Sequence, residues 1–265
     1  MENSERHSGF TPFRIMVCPA IWEESPFILR SFKFSKIKKY RVPFYTTRYK
    51  TKQVILVTTG IGLRFFLSIA PDILTSFRPD LIIFTGFCGY LSPDGHPGKA
   101  AALVKLFLFP EILHAPRVII PISSEILKIL RSLEATVSQG ITVPIDFPKE
   151  KIPSALDIPT VVDMESYFAA LLGVRTRTPV LILKTATDMA SDPIRFRVSE
   201  IIGEDGLIST KRVASMLITH PELLPDFYFY GKRSMLASRK LCDLLTKVLD
   251  LPDAVLQSIP HPIME

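Results

Sequence analysis

Short runs of consecutive apolar residues recur along the first 190 positions, and each gives way to small or polar residues. The clearest lie within 14–18, 54–57, 81–84 and 180–183. A strand with one face in water alternates apolar with polar, whereas one covered on both faces reads as an unbroken apolar run, so all four predict buried strands. The first runs into Pro19-Ala20 and then Glu23 and Glu24, ahead of a helix-forming segment at Phe27, Ile28 and Leu29. The second ends in Thr58-Thr59-Gly60-Ile61-Gly62 before a helical pattern from Phe65 to Phe77, and the third ends in Thr85-Gly86-Phe87-Cys88-Gly89. The fourth runs into Thr185-Ala186-Thr187-Asp188.

Between these markers, Ile122 to Leu133 predicts a helix and Ile141-Thr142-Val143 a strand, while Asp163-Met164-Glu165 opens a helix rich in alanine and leucine. The basic and aromatic stretch from Lys33 to Lys52 predicts paired strands around Val42-Pro43. Ala100 to Phe109 is apolar without a deciding period. Strand, loop and helix in alternation predict a mostly parallel central sheet with helices on both faces, a three-layer α/β/α architecture. Residues 1–12 read as a flexible tail and 13–193 as the core. Residues 194–265 read as a helical extension packed on that core, with a turn at Gly203–Gly206, a helix from Thr210 and a long helical pattern from Lys232 to Leu249. One domain accounts for the whole chain.

Composition narrows the function classes. Of 265 residues 47% are hydrophobic and 22% charged, ordinary for a globular chain, and no run approaches the ~18 apolar residues that cross a bilayer. The start, Met1 to Gly9, has neither a basic nor an apolar leader region, and Cys18, Cys88 and Cys242 have no metal-ligand or disulfide spacing. A cytoplasmic protein without a metal is expected. The net charge of +6 is concentrated in Lys33 to Lys52 without a recognition motif, which argues for a solvated hairpin over a nucleic-acid stripe. Gly60-Ile61-Gly62 lacks the third glycine and downstream acid of a dinucleotide fingerprint, so no organic cofactor is expected.

The polar groups at the strand ends carry the functional argument, because convergence at one sheet edge is how α/β folds build sites. Asp163-Met164-Glu165-Ser166 resembles the Glu-Met-Glu or Asp-Met-Glu-Ser signature of the nucleoside phosphorylase and nucleosidase superfamily. Leu183-Lys184-Thr185-Ala186-Thr187-Asp188 is similar to its Arg-x-x-Ser-Asp strand end. Thr59-Gly60-Ile61-Gly62 and the stretch from Pro79-Asp80 to Gly86-Phe87-Cys88-Gly89 resemble its two glycine segments, in the right order. A narrower likeness, in Ile202-Gly203-Glu204-Asp205-Gly206 and His220-Pro221-Glu222-Leu223-Leu224-Pro225, is to the tail of the hopanoid-associated phosphorylases, which are linked to release of adenine from the lipid nucleoside adenosylhopane.

The resemblance implies a nucleosidase. It implies that Asp188 protonates the purine at N7, that Glu165 accepts hydrogen bonds from the ribose hydroxyls with Met164 against the sugar, and that Glu24, or Glu23 one place earlier, orients the nucleophile. Thr187, Phe147, Gly86, Thr59 and Gly60 would complete the binding surface, Phe147 by stacking on the base. Each has a plain structural alternative: an N-cap for Asp188, a first-turn glutamate for Glu165, a surface helix start for Glu24 and a core ring for Phe147.

Departures bear on the substrate. Lys184 stands where an arginine is usual, and Phe84 and Cys88 occupy positions where phosphate-using members supply an arginine and a hydroxyl. Water is therefore the expected nucleophile, with phosphate as the alternative co-substrate and Arg64 as the residue that would favour it. A small or lipid-linked adenosine is the expected partner, in a homodimer. The alternatives are a methylthioadenosine or S-adenosylhomocysteine nucleosidase, a phosphorylase, and a catalytically silent nucleoside-binding module. Phe227-Tyr228-Phe229-Tyr230 followed by Lys232, Arg233, Arg239 and Lys240 adds the composition of a peripheral membrane contact, with core packing as its alternative.

Overall fold

The computed structural model describes residues 12–37, 44–63, 77–109, 116–148, 151–152, 158–192 and 195–265. All but the last residue of the helix-forming candidate at 65–77, Arg64, the turn around Val42-Pro43 and nearly all of the N-terminal tail lie outside them. Strands β1 (Phe13–Pro19), β4 (Lys52–Val57) and β5 (Leu81–Tyr90) are parallel neighbours, with β1 in the middle. The basic stretch forms β2 (Ser35–Ile37) and β3 (Phe44–Tyr49), an antiparallel wing on β4.

The ambiguous apolar stretch is β6 (Ala100–Leu108). It joins β8 (Ala135–Thr142), β9 (Thr160–Asp163), β5 and β10 (Val180–Met189) into a closed circuit, because β5 pairs β10, β10 pairs β6, β6 pairs β8, β8 pairs β9 and β9 returns to β5. The sheet is thus mixed where the sequence reads as mostly parallel: β9 meets β5, and β6 meets β10, antiparallel. The circuit holds two reversals, and an even number is what consistent strand directions around a closed ring demand. It also covers edges that an open sheet would leave unpaired.

Two glycine or polar segments read as loops are in fact strand. β5 continues through Gly86 and Gly89, and β10 continues through Asp188. Helix α1 (Pro26–Ser31), α2 (Ser124–Ser132), α6 (Leu224–Leu249) and α7 (Asp253–Gln257) cover one face, where Ile28, Ile126, Leu130, Leu241, Leu245 and Leu256 meet Ile15, Val17, Ile83, Leu181 and Leu183. Helix α3 (Ser166–Thr176) covers the other through Tyr167, Ala169 and Ala170 against Met16, Ile82 and Ile182. Three layers result.

The C-terminal residues are more integrated than an appendage. Short helix α4 (Val198–Ile201) and α5 (Thr210–Thr219) flank a turn at Gly203–Gly206, and the Gly206 carbonyl accepts the Ile61 N–H at 2.9 Å. After α7 the chain returns to the sheet edge as β11 (Ile263–Met264), antiparallel to β7 (Val118–Ile119).

Candidate active site

A cavity of about 420 Å³ opens where β1, β5, β9 and β10 end together. Glu24, Met164, Glu165, Thr187, Asp188 and Phe147 all line it.

Glu24 closes a single 3-10 turn, Trp22–Glu24, directly after β1. Its Oε2 accepts the Ala20 N–H at 2.6 Å and the Ile21 N–H at 3.3 Å, and its Oε1 accepts the Phe87 N–H at 2.8 Å. The carboxylate therefore bridges β1 and β5. Gly86 makes room for it, since a Cβ there would sit 2.8 Å from Oε1. Glu23, by contrast, is exposed, which assigns the cavity position to Glu24. Burial pushes the Glu24 carboxyl up to about 7 against the pull of Lys184 and three amide donors. A group poised there accepts and returns protons near neutrality.

Glu165 follows β9. In the antiparallel register Val162 lies opposite Gly89, which carries Asp163, Met164 and Glu165 toward Cys88. Its Oε1 accepts the Gly62 N–H at 2.8 Å, and Gly62 sits at φ +83°, where a side chain would be strained. Asp163 is a junction residue rather than the start of the helix. It accepts from Thr142 Oγ1 at 2.8 Å, from the Ser166 N–H and hydroxyl, and from Lys184 Nζ at 2.8 Å. Lys184 Nζ lies 3.9 Å from Glu165 Oε2. Burial pushes the Glu165 carboxyl up to about 7, with Lys184 opposing and Asp163 adding. Burial disfavours the Lys184 cation, but Asp163, Glu165 and Glu24 together hold it above its ordinary value.

Asp188 owes its position to an irregularity. Along β10, Ile182 and Ala186 face one core cluster while Leu181 and Leu183 face the other. Strict alternation would send Thr187 away from the side chain of Asp188. The register against β5 instead slips between Ala186 and Asp188, leaving Thr187 as the extra residue, and both side chains line the cavity. Thr187 Oγ1 donates to Asp188 Oδ1 at 2.8 Å, and both residues are buried.

Phe147 packs edge-on against Phe109 at 4.8 Å and also lines the cavity. Three expected binding residues do not line it. Thr59 and Gly60 direct their amides to the Pro19 and Ala20 carbonyls at 2.9 Å, tying the glycine segment to the end of β1, and Gly86 acts through Glu24. Asp146 accepts from the Ser199 amide and hydroxyl and so fixes the start of α4. Ile61, Asp192 and Phe196 line the cavity without having been singled out. The Lys184 pairing had a visible signal: a lysine inside an otherwise apolar strand must find a counter-charge.

The two raised glutamates set a pH dependence. Their folded values of about 7 exceed the ordinary 4.5, so between those limits the folded protein holds more protons than the unfolded chain. Their support for folding is full below 4.5 and lost as pH rises through 7. Denaturant titrations at pH 5 and pH 8 should show the decline in the wild type, on the order of a few kcal/mol for the pair, and a smaller one in Glu24→Gln. Identical slopes would exclude Glu24 as the source.

Residues 14–109 match a family model described as the phosphorylase superfamily. Over 217 residues the chain is 21% identical to the 5'-methylthioadenosine/S-adenosylhomocysteine nucleosidase of Staphylococcus aureus, across 74% of this chain and 95% of that protein. The crystal structure of the Campylobacter jejuni 5'-methylthioadenosine/S-adenosylhomocysteine nucleosidase superposes with a TM-score of 0.62 at 17% identity, covering 89% of this chain and 99% of that one. A futalosine hydrolase mutant of Helicobacter pylori gives 0.60 at 15% identity, over 88% and 98%. The fold is that of the phosphorylase superfamily. The resemblance carried by the four motifs therefore holds at that level. Within the phosphorylase-superfamily fold, Lys184 keeps a cation at the usual arginine position, bound to Asp163, whereas Phe84 is packed in an apolar cluster and offers none.

Proposed function

We propose that the chain is a purine nucleosidase that hydrolyses the N-glycosidic bond of an adenosine-type nucleoside. The observation that carries this is the strand irregularity that brings Asp188 and Thr187 to the same cavity as Glu165 and Glu24. Cleavage of the C1'–N9 bond sends its electron pair onto the purine and leaves a cationic sugar. Asp188 delivers a proton to N7, which neutralises the departing base. Glu165 accepts the ribose hydroxyl hydrogen bonds, Met164 packs against the sugar and Phe147 against the base. Glu24 takes a proton from the water whose oxygen bonds to C1', giving free purine and a free ribosyl product.

Two substrates stand within this class. Adenosylhopane, and with it a step in hopanoid biosynthesis, is supported by the segments at 202–206 and 220–225, the first of which sets Ile202 against Ile61 in the cavity wall. A methylthioadenosine or S-adenosylhomocysteine substrate is supported by the names of the relatives. Retention of all three carboxylates argues against a silent binding module. A homodimer is part of the proposal, in line with the superfamily likeness, and three free buried cysteines suit a reducing cytoplasm.

Water rather than phosphate is the proposed nucleophile. Guanidinium pairs are the usual means of holding a phosphate dianion. Phe84 supplies none, Lys184 is engaged by Asp163, and among the described residues the arginine of the cavity lining, Arg197, is at the exposed rim. Glu24 adds negative charge where the anion would bind. Purine release from a panel of adenosine derivatives should proceed in phosphate-free buffer, yield free sugar and not accelerate with millimolar phosphate. Strict phosphate dependence with a ribose 1-phosphate product would establish a phosphorylase instead. No release from any member would refute nucleosidase activity.

A further inference from the structure

The first four turns of α6 present an apolar and cationic face that no described residue covers. Positions three and four apart share a helix face, and Leu224, Tyr228, Lys232, Met235 and Arg239 follow that spacing. Tyr228 is 65% exposed, Met235 59% and Leu224 58%, with Phe229 and Leu236 exposed beside them. Ile218, at the end of α5, is 80% exposed. The opposite side of the same helix is core: Ala237, Ser238 and Leu241 are buried. Exposed apolar side chains in such number on one face mark an interaction surface.

Charge identifies the partner. Between Phe227 and Cys242 the sequence holds Lys232, Arg233, Arg239 and Lys240 and not one aspartate or glutamate. Lys232 lies over the Tyr228 ring at 4.5 Å and Arg239 near the Phe27 ring at 5.4 Å, so these cations flank the apolar side chains. The nearest exposed carboxylates, Glu222 and Asp243, lie at the ends of this face, so a two-fold contact centred on it would set Lys232 against its own copy. We propose that this face of α6 docks on an anionic lipid surface, with the aromatic and apolar side chains entering the headgroup region and Lys232, Arg239 and Lys240 meeting the lipid phosphates and carboxylates.

The cavity lies on the other side of the same helix. Phe196, in the cavity lining, stacks on Phe227 at 4.6 Å and meets Tyr230 edge-on at 5.9 Å, while Asp192, also in the lining, pairs with Arg233. The docking therefore stands apart from the nucleosidase proposal.

Co-sedimentation with vesicles of phosphatidylcholine mixed with phosphatidylserine, and of phosphatidylcholine alone, tests the docking. Binding is expected to the mixed vesicles, to weaken in high salt, and to fall by more than about tenfold in Lys232→Glu/Lys240→Glu. Tyr228→Ser/Met235→Ser should lose binding without a change in melting temperature, since both positions are exposed. Failure to pellet with the mixed vesicles, or unaltered pelleting of both variants, would overturn the docking. So would a vesicle-free dimer that the serine variant dissociates in sedimentation velocity. Purine release from soluble methylthioadenosine, measured on the same samples, reports on the nucleosidase proposal separately.

Discussion

Replacing Asp188 with Asn is expected to slow purine release by about 10²–10⁴ while leaving the fold intact. The substitution is nearly isosteric, and the Asn carbonyl oxygen can still accept the Thr187 hydroxyl that now donates to Asp188 Oδ1 at 2.8 Å. On the proposed mechanism, what disappears is the proton that the departing purine requires. Because the carboxyl sits on a buried strand end, bulk water is poorly placed to supply a substitute. The melting temperature should move by no more than the roughly 2–4 °C that a 1 kcal/mol change produces in a chain of this size. The discriminating comparison pairs the single-turnover rate with the melt. A folded Asp188→Asn protein with the wild-type rate would remove Asp188 from the chemistry, and a low rate in an unfolded one would leave the outcome to Thr187→Val, which should keep the acid and lose less.

The strand ends were legible because burial on both faces writes itself as an apolar run. Ile15 to Cys18, Val54 to Val57, Leu81 to Phe84 and Val180 to Leu183 all lie in strands, and the residues after them do reach one cavity. Less visible was where those strands stop. Gly86, Gly89 and Thr187 look like loop residues, yet Gly86 stays in β5 to admit Glu24, and Thr187 stays in β10 as the extra residue of a register slip. A slip has no local composition, since it is fixed by the partner strand. The closed circuit was equally silent, because β6 reads as apolar whether it pairs parallel or antiparallel. The integration of residues 202–208 with the cavity wall depends on contacts some 140 positions away, at Ile61, which periodicity cannot register.

The buried lysine carries the other large expected effect. Lys184 Nζ stands 2.8 Å from Asp163 and 3.9 Å from Glu165, and its charge also acts on Glu24. Lys184→Met keeps most of the aliphatic length but leaves Asp163, Glu165 and Glu24 facing one another without a cation. Breaking a buried pair from one side costs about 3–5 kcal/mol, because the remaining charge has neither water nor a partner. At pH 8 a melting temperature lower by roughly 10 °C is therefore expected. The pH dependence distinguishes this electrostatic cost from a packing defect. Removing the lysine raises the folded-state carboxyl values of Glu24 and Glu165 beyond about 7, still further above the ordinary 4.5. The folded variant then takes up protons over a wider interval, so its stability should recover toward wild type near pH 5 and fall more steeply than wild type through neutrality. A cavity left by a shortened side chain would cost the same at both pH values. Lys184→Arg, which retains the charge at the position where the superfamily usually carries arginine, should restore the wild-type slope even if the larger head disturbs the packing. A Lys184→Met protein as stable as wild type at pH 8, with an unchanged slope, would show that the three carboxylates do not depend on this cation.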